Sequence, residues 1–129
     1  MSGKRFLTDR CVLIIEDEVM VTMMLEDMLQ ELGAGAIETA TSLEEAESRA
    51  LETVADVALV DVNLHGRMSY PAAEILNRRG IPFLFATGYG PHMAELSISP
   101  WREFLTLQKP FVKDDLEAAI RSVMRLPED

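Results

Sequence analysis

Several short apolar runs in this sequence each lead directly into polar residues that can do chemistry. Cys11–Ile15 is followed by Glu16, Asp17 and Glu18; residues 57–60 by Asp61 and then Asn63; residues 82–86 by Thr87; and residues 104–107 lead to Lys109 and Pro110. Brought to one place, these residues make a pocket of carboxylates with an amide, a hydroxyl and an ammonium. Crowded carboxylates repel, and without a counter-charge at least one must have its pKa raised. A divalent cation resolves that conflict. Every ligand on offer is oxygen and no His or Cys stands at metal-ligand spacing, so the natural ion is Mg²⁺, with Mn²⁺ as a substitute. An Asp beside such an ion can act as a nucleophile on phosphorus, while the metal and a Lys neutralise the charge that develops on the phosphoryl oxygens. The hydroxyl of Thr87 can donate to a further phosphoryl oxygen. The constellation describes a site that receives a phosphoryl group on a carboxylate.

Positioning these residues requires a particular scaffold. The apolar runs begin at residues 11, 36, 57, 82 and 104, and this pacing predicts repeated βα units. The first, third and fourth runs are continuous rather than alternating, as in parallel strands covered on both faces. The second, residues 36–39, is weaker and is expected near an edge. Val21, Leu25, Met28, Leu29 and Leu32 recur at helical spacing before Gly33, which predicts a first helix. Ser42 with Glu45 reads as the capping box of a second helix running to about Glu52. Pro71 opens a third helix that ends by Gly80. A last helix starts near Lys113, with Asp114 and Asp115 in its first turn and Arg121 and Arg125 in its last, the charge order that suits a helix dipole. Gly88, Gly90, Pro91 and Pro100 leave room only for a short or mobile fourth helix between Thr87 and Phe104. Parallel α/β sheets bind ligands beyond the carboxyl ends of their strands, where the polar residues above stand.

Composition narrows the function classes. The 129 residues fit a single domain, with its core over about residues 10–126. Twelve basic residues against 22 acidic ones give a net charge of −10, which disfavours nucleic acid and anionic membrane as partners. The lone Cys11 can form no internal disulfide and reads as a small core residue. No stretch has the length of a membrane span or of a signal-peptide apolar region, so a cytoplasmic location is expected.

Four segments carry a family resemblance: VLIIEDE at 12–18, ALVDVNL at 58–64, FATG at 85–88 and KPF at 109–111. In this order and at these spacings the chain resembles the receiver domain of a two-component response regulator. The resemblance implies an α/β, flavodoxin-like five-stranded parallel sheet of order 2-1-3-4-5 with helices on both faces. It also implies Asp61 as phosphoacceptor, Asp17 as a direct ligand of Mg²⁺, and Glu16 as a ligand through water. Asn63 is expected to contribute its backbone carbonyl, Lys109 to pair with the phosphoryl group, and Thr87 to serve as the switch hydroxyl. The Lys109–Pro110 bond is expected to be cis. PFLFATGYG at 82–90 with DVNLHG at 61–66 further resembles the alphaproteobacterial receiver subgroup nicknamed FATGUY, commonly stand-alone receivers.

Two departures stand out. Similar receivers carry an aromatic residue three positions before the lysine, where this chain has Thr106, and many have Pro where it has His65. The first puts the usual threonine-to-aromatic switch in question, and Tyr89, two residues after Thr87, is a candidate to shield the acyl phosphate instead. The second predicts a less rigid loop after the third strand. His65 and His92 read as ordinary loop residues, and Trp101 as a cover for the lower sheet. Met20, Met23, Met24 and Met28 cannot all point inward, so one or two are expected at the surface, where similar receivers meet a sensor histidine kinase. The reading is a phosphoacceptor rather than an enzyme. It takes phosphate from such a kinase and signals through a downstream protein partner, a phosphotransfer protein, or by acting as a phosphate sink. The alternatives are a small Asp-nucleophile phosphatase, which expects a second acid where Asn63 stands, and a phosphorylation-independent interaction module.

Overall fold

The computed structural model describes residues 6–88 and 95–126. Five strands form one parallel sheet: β1 (Cys11–Ile15), β2 (Ala36–Ala40), β3 (Val57–Asp61), β4 (Phe83–Thr87) and β5 (Thr106–Gln108). Their order is β2-β1-β3-β4-β5, the flavodoxin-like arrangement, with β2 and β5 at the edges. Helices α1 (Val19–Glu31), α2 (Leu43–Glu52), α3 (Tyr70–Arg78) and α4 (Lys113–Met124) connect or follow the strands. Within the segment expected to hold a short further helix, residues 95–97 are helical and residues 98–104 are turns and bends. Residues 89–94, which include Tyr89 and His92, lie outside the described residues.

Continuous apolar strands are required because both faces of the sheet are covered. Val12, Ile14, Val57, Leu59, Leu84 and Ala86 pack on one side with Leu25 and Leu29 of α1 and with Leu116 and Ile120 of α4. Leu13, Ile15, Ala58, Val60, Phe83 and Phe85 pack on the other with α2, α3 and Leu96. The alternation along each strand thus sends neighbouring side chains into two separate cores.

The helix boundaries follow local chemistry. Gly33, at φ 97°, takes the left-handed conformation after α1 that a side chain resists. Ser42 Oγ accepts the Glu45 N–H across 3.1 Å, but Glu45 Oε1 accepts from the backbone N–H of Thr41 at 2.7 Å, not from Ser42. The reciprocal bond of the capping box is therefore displaced one residue outward. Arg121 stands in the last turn of α4 as expected, and there it is buried, bonded to Glu117 at 3.0 Å and stacked 4.2 Å over the Phe6 ring. The N-terminal residues before β1 cover this face, since Leu7 is fully buried and donates its N–H to Leu32 O.

Trp101 covers the sheet by joining an aromatic cluster with Tyr70, Phe83, Phe85 and Phe104, its centroid 5.0 Å from Phe104 and 5.9 Å from Phe85. Phe85 lies at its centre, fully buried and two residues before Thr87. Replacing Phe85 with Ala should destabilise the fold by about 3–5 kcal/mol, read as a lower urea midpoint at an unchanged denaturant slope.

Candidate functional site

Strand register assembles the site. Ile15 pairs with Val60, so Glu16 follows β1 beside Asp61. Asp61 pairs with Ala86, leaving Thr87 one step further along β4, and Thr87 pairs with Gln108, so that Lys109 comes next. The Lys109 N–H donates to Thr87 O across 2.8 Å, and the Lys109–Pro110 bond is cis. Four strand ends thus meet where β1 and β3, distant in sequence order, lie side by side, the position at which such sheets bind ligands.

The side chains converge as well. Lys109 Nζ lies 3.2 Å from Glu16 Oε1 and 3.4 Å from Asp61 Oδ2. Carboxylate oxygens of Glu16, Asp17 and Asp61 lie within 4.8 Å of one another. These are hard oxygen donors grouped around one point, with more negative charge than a single ammonium balances, which suits Mg²⁺ or Mn²⁺. Asp17, Asp61, Asn63, Thr87 and Lys109 line an open cleft of about 860 Å³. Thr87 is buried, its hydroxyl 3.4 Å from Gly88 O. The side chain of Asn63 is engaged, its Oδ1 accepting the Gly66 N–H at 2.9 Å.

Sequence reasoning missed the short antiparallel ribbon between Asn63–Leu64 and Arg67–Met68. His65 and Gly66, at its turn, have φ values of 51° and 85°, and a residue with a small or polar side chain before Gly was the available signal. His65 and Gly66 thus form the turn of a paired ribbon that follows Asp61. His65 also acquires a charged neighbour that sequence distance concealed, with Nδ1 3.5 Å from Asp17 Oδ2.

Burial dominates the electrostatics. Desolvation, then the Asp61 charge, pushes the Glu16 carboxyl up to about 8 despite the opposing pull of Lys109. Desolvation likewise raises Asp61, against Lys109 and a hydrogen bond from Glu16. Both carboxyls are thus pushed toward holding a proton, with burial as the first cause. Burial works against a charged Lys109, but the Asp61 and Glu16 carboxylates outweigh it and hold its pKa above the usual lysine value. These are the consequences expected of crowded carboxyls without a cation.

The chain matches the family model of the response regulator receiver domain over residues 12–121. It belongs to that family. Among solved structures, SdrG from Sphingomonas melonis Fr1 is 38% identical, with a TM-score of 0.77 over 98% of this chain and 100% of that one. The BeF3-activated conformation of SdrG, given as from Pseudomonas melonis Fr1, is 36% identical with a TM-score of 0.72, covering 96% of this chain and 99% of the other. The receiver domain of the Erythrobacter litoralis response regulator PhyR is 27% identical with a TM-score of 0.77, covering 96% of each chain. No curated protein matched the sequence. Among the described residues no helix is long and apolar enough to cross a membrane.

A carboxyl whose pKa is higher folded than unfolded stabilises the fold fully only below its unfolded value, and that contribution is lost as pH rises through the folded one. For Glu16 the window runs from its ordinary 4.5 to about 8. In EDTA, urea midpoints should therefore fall across that range. Adding Mg²⁺ should restore stability most at the upper end, where the carboxylates are ionised.

Proposed function

We propose that this receiver takes a phosphoryl group onto Asp61 from the phosphohistidine of a sensor histidine kinase, in a Mg²⁺-dependent step. The observation that carries the reading is Lys109 Nζ within 3.4 Å of a buried Asp61 that shares a cluster of three carboxylates. Glu16, Asp17, Asp61 and the backbone carbonyl of Asn63 are the groups that would hold the ion, Glu16 through water. When bound, Mg²⁺ supplies charge neutralisation and orientation of the phosphoryl oxygens. An Asp61 oxygen attacks phosphorus, the P–N bond to the imidazole breaks as the new O–P bond forms, and the imidazole leaves carrying the electron pair. Lys109 exchanges its contact with the free carboxylate for one with a phosphoryl oxygen, and the Thr87 hydroxyl donates to another. The activation of SdrG by BeF3 supports a phosphoryl-like group as the trigger.

Val19, Met20 and Met23 of α1 are exposed at 67, 78 and 54%, on the helix that begins beside the cleft. This apolar face suits kinase docking. The match to SdrG over nearly the full length of both chains supports a receiver of the same kind. Its output is then a downstream protein, a phosphotransfer partner, or drainage of phosphate from the kinase. A phosphatase reading lacks support, because Asn63 is an amide and its side chain is committed to the ribbon turn.

Incubation with Mg²⁺ and acetyl phosphate should give a single phosphoryl adduct by intact mass, absent in Asp61→Asn. Catalytic turnover of many equivalents, or no adduct in the unaltered chain, would overturn the assignment. We also assign Tyr89 to shielding of the acyl phosphate, from its place two residues after Thr87. Tyr89→Ala should shorten the lifetime of the adduct several-fold, and an unchanged decay rate refutes that role.

A further inference from the structure

The ribbon after Asp61 is anchored at several points. Gly66 donates its N–H to Asn63 Oδ1 at 2.9 Å, Ser69 donates its N–H to Val62 O at 2.8 Å, and the Arg67 guanidinium pairs with Glu44 of α2. At its tip two consecutive residues have positive φ, the pattern of a type I′ turn. Gly66 adopts such a φ freely, whereas His65 carries a Cβ and does so at a cost. What this conformation achieves is the direction of one donor: the His65 N–H points out of the ribbon to Asp17 Oδ2, 2.8 Å away. A proline at this position would have no N–H to give, and its ring would forbid this φ.

We propose that the ribbon at residues 63–68 positions the cation ligand Asp17, with the His65 N–H holding one carboxylate oxygen so that the other faces the metal pocket. This rests on the reading of Glu16, Asp17 and Asp61 as a Mg²⁺ site. Asp17 stands beyond the last paired residue of β1, so no ladder bond fixes its side chain, and its carboxylate is 15% exposed. Free rotation there would have to be frozen at every binding event. A backbone N–H is a suitable restraint because it can neither titrate away nor compete for the metal. Hydrogen bonds from a second layer onto metal ligands typically change metal affinity 10- to 100-fold. The ribbon also joins the acceptor to the ligand directly, since the chain that leaves Asp61 is the one that returns to grip Asp17.

The test pairs Mg²⁺ titration calorimetry with hydrogen exchange of the His65 amide, followed by NMR. In Mg²⁺-free protein that amide should exchange roughly tenfold or more slowly than an unprotected one. Asp17→Ala should release it. At Gly66 an added Cβ meets no atom within 4 Å, so Gly66→Ala strains the turn without a clash, and Gly66→Val adds β-branching to the same strain. They should weaken Mg²⁺ binding by about tenfold in step with lost His65 protection, while the thermal midpoint falls by no more than about 4–8 °C and the spectrum elsewhere is retained. His65→Asn keeps the donor in a favoured Asn-Gly turn and should bind Mg²⁺ within about twofold of the unaltered chain. A variant that loses His65 protection yet binds Mg²⁺ normally overturns the proposal, as does an unprotected His65 amide at the outset. If the unaltered chain binds no Mg²⁺, the metal reading itself fails, and the exchange data still decide whether His65 holds Asp17.

Discussion

Lys109 between Glu16 and Asp61 is the interaction on which the rest of this structure depends. Two buried carboxyls and one ammonium, separated by 3.2 and 3.4 Å, leave an excess of negative charge in a place where water is scarce. Coulombic repulsion between acids rises as the local dielectric falls, so the cluster must either keep a proton or gain a cation. Under the proposed function a metal and then a phosphoryl group would each change the balance that Lys109 alone leaves incomplete.

The scaffold has to hold this cluster against its own repulsion. It does so with a sheet whose every central strand is buried on both faces, so that the strand ends cannot drift apart without exposing core. The register between β1, β3, β4 and β5 sets the spacing of Glu16, Asp61, Thr87 and Lys109. Below Thr87, Phe85 is gripped by Tyr70, Trp101 and Phe104, aromatic contacts that tie β4 to the start of α3 and to the segment before β5. Thr106, where related receivers have an aromatic ring, bonds through its hydroxyl to Phe104 O at 3.3 Å, and the aromatic mass is supplied from residues 101 and 104 instead. A rigid aromatic layer thus lies directly beneath the hydroxyl that is the candidate switch.

The fold was largely legible because its signals are local and repeated. Continuous apolar runs at βα spacing, Gly33, Ser42 and Pro71 at helix boundaries, and the exposed methionines of α1 all follow from nearest-neighbour sterics and from the burial pattern that a two-sided sheet imposes. What the sequence left out depended on contacts between distant segments. Arg121 has the position of a dipole-complementing charge, and Phe6, far away in sequence, adds its ring over it. Closer by, Glu45 satisfies the Thr41 N–H rather than that of Ser42. β5 begins at Thr106, not at Phe104, since Phe104 turns toward the aromatic cluster.

The candidate site divides along the same line. By itself the sequence determined which groups are present and in what order: acids after β1 and β3, a hydroxyl after β4, a lysine after β5, and a periodicity that places all four at one edge of a parallel sheet. Only the tertiary structure decided their mutual distances, the burial that raises the Glu16 and Asp61 carboxyls, and that His65 reaches back 48 residues to Asp17. Residue type and spacing follow from short-range backbone preference, but desolvation and Coulomb energy depend on separations of a few ångströms, and those exist only once the strands have paired.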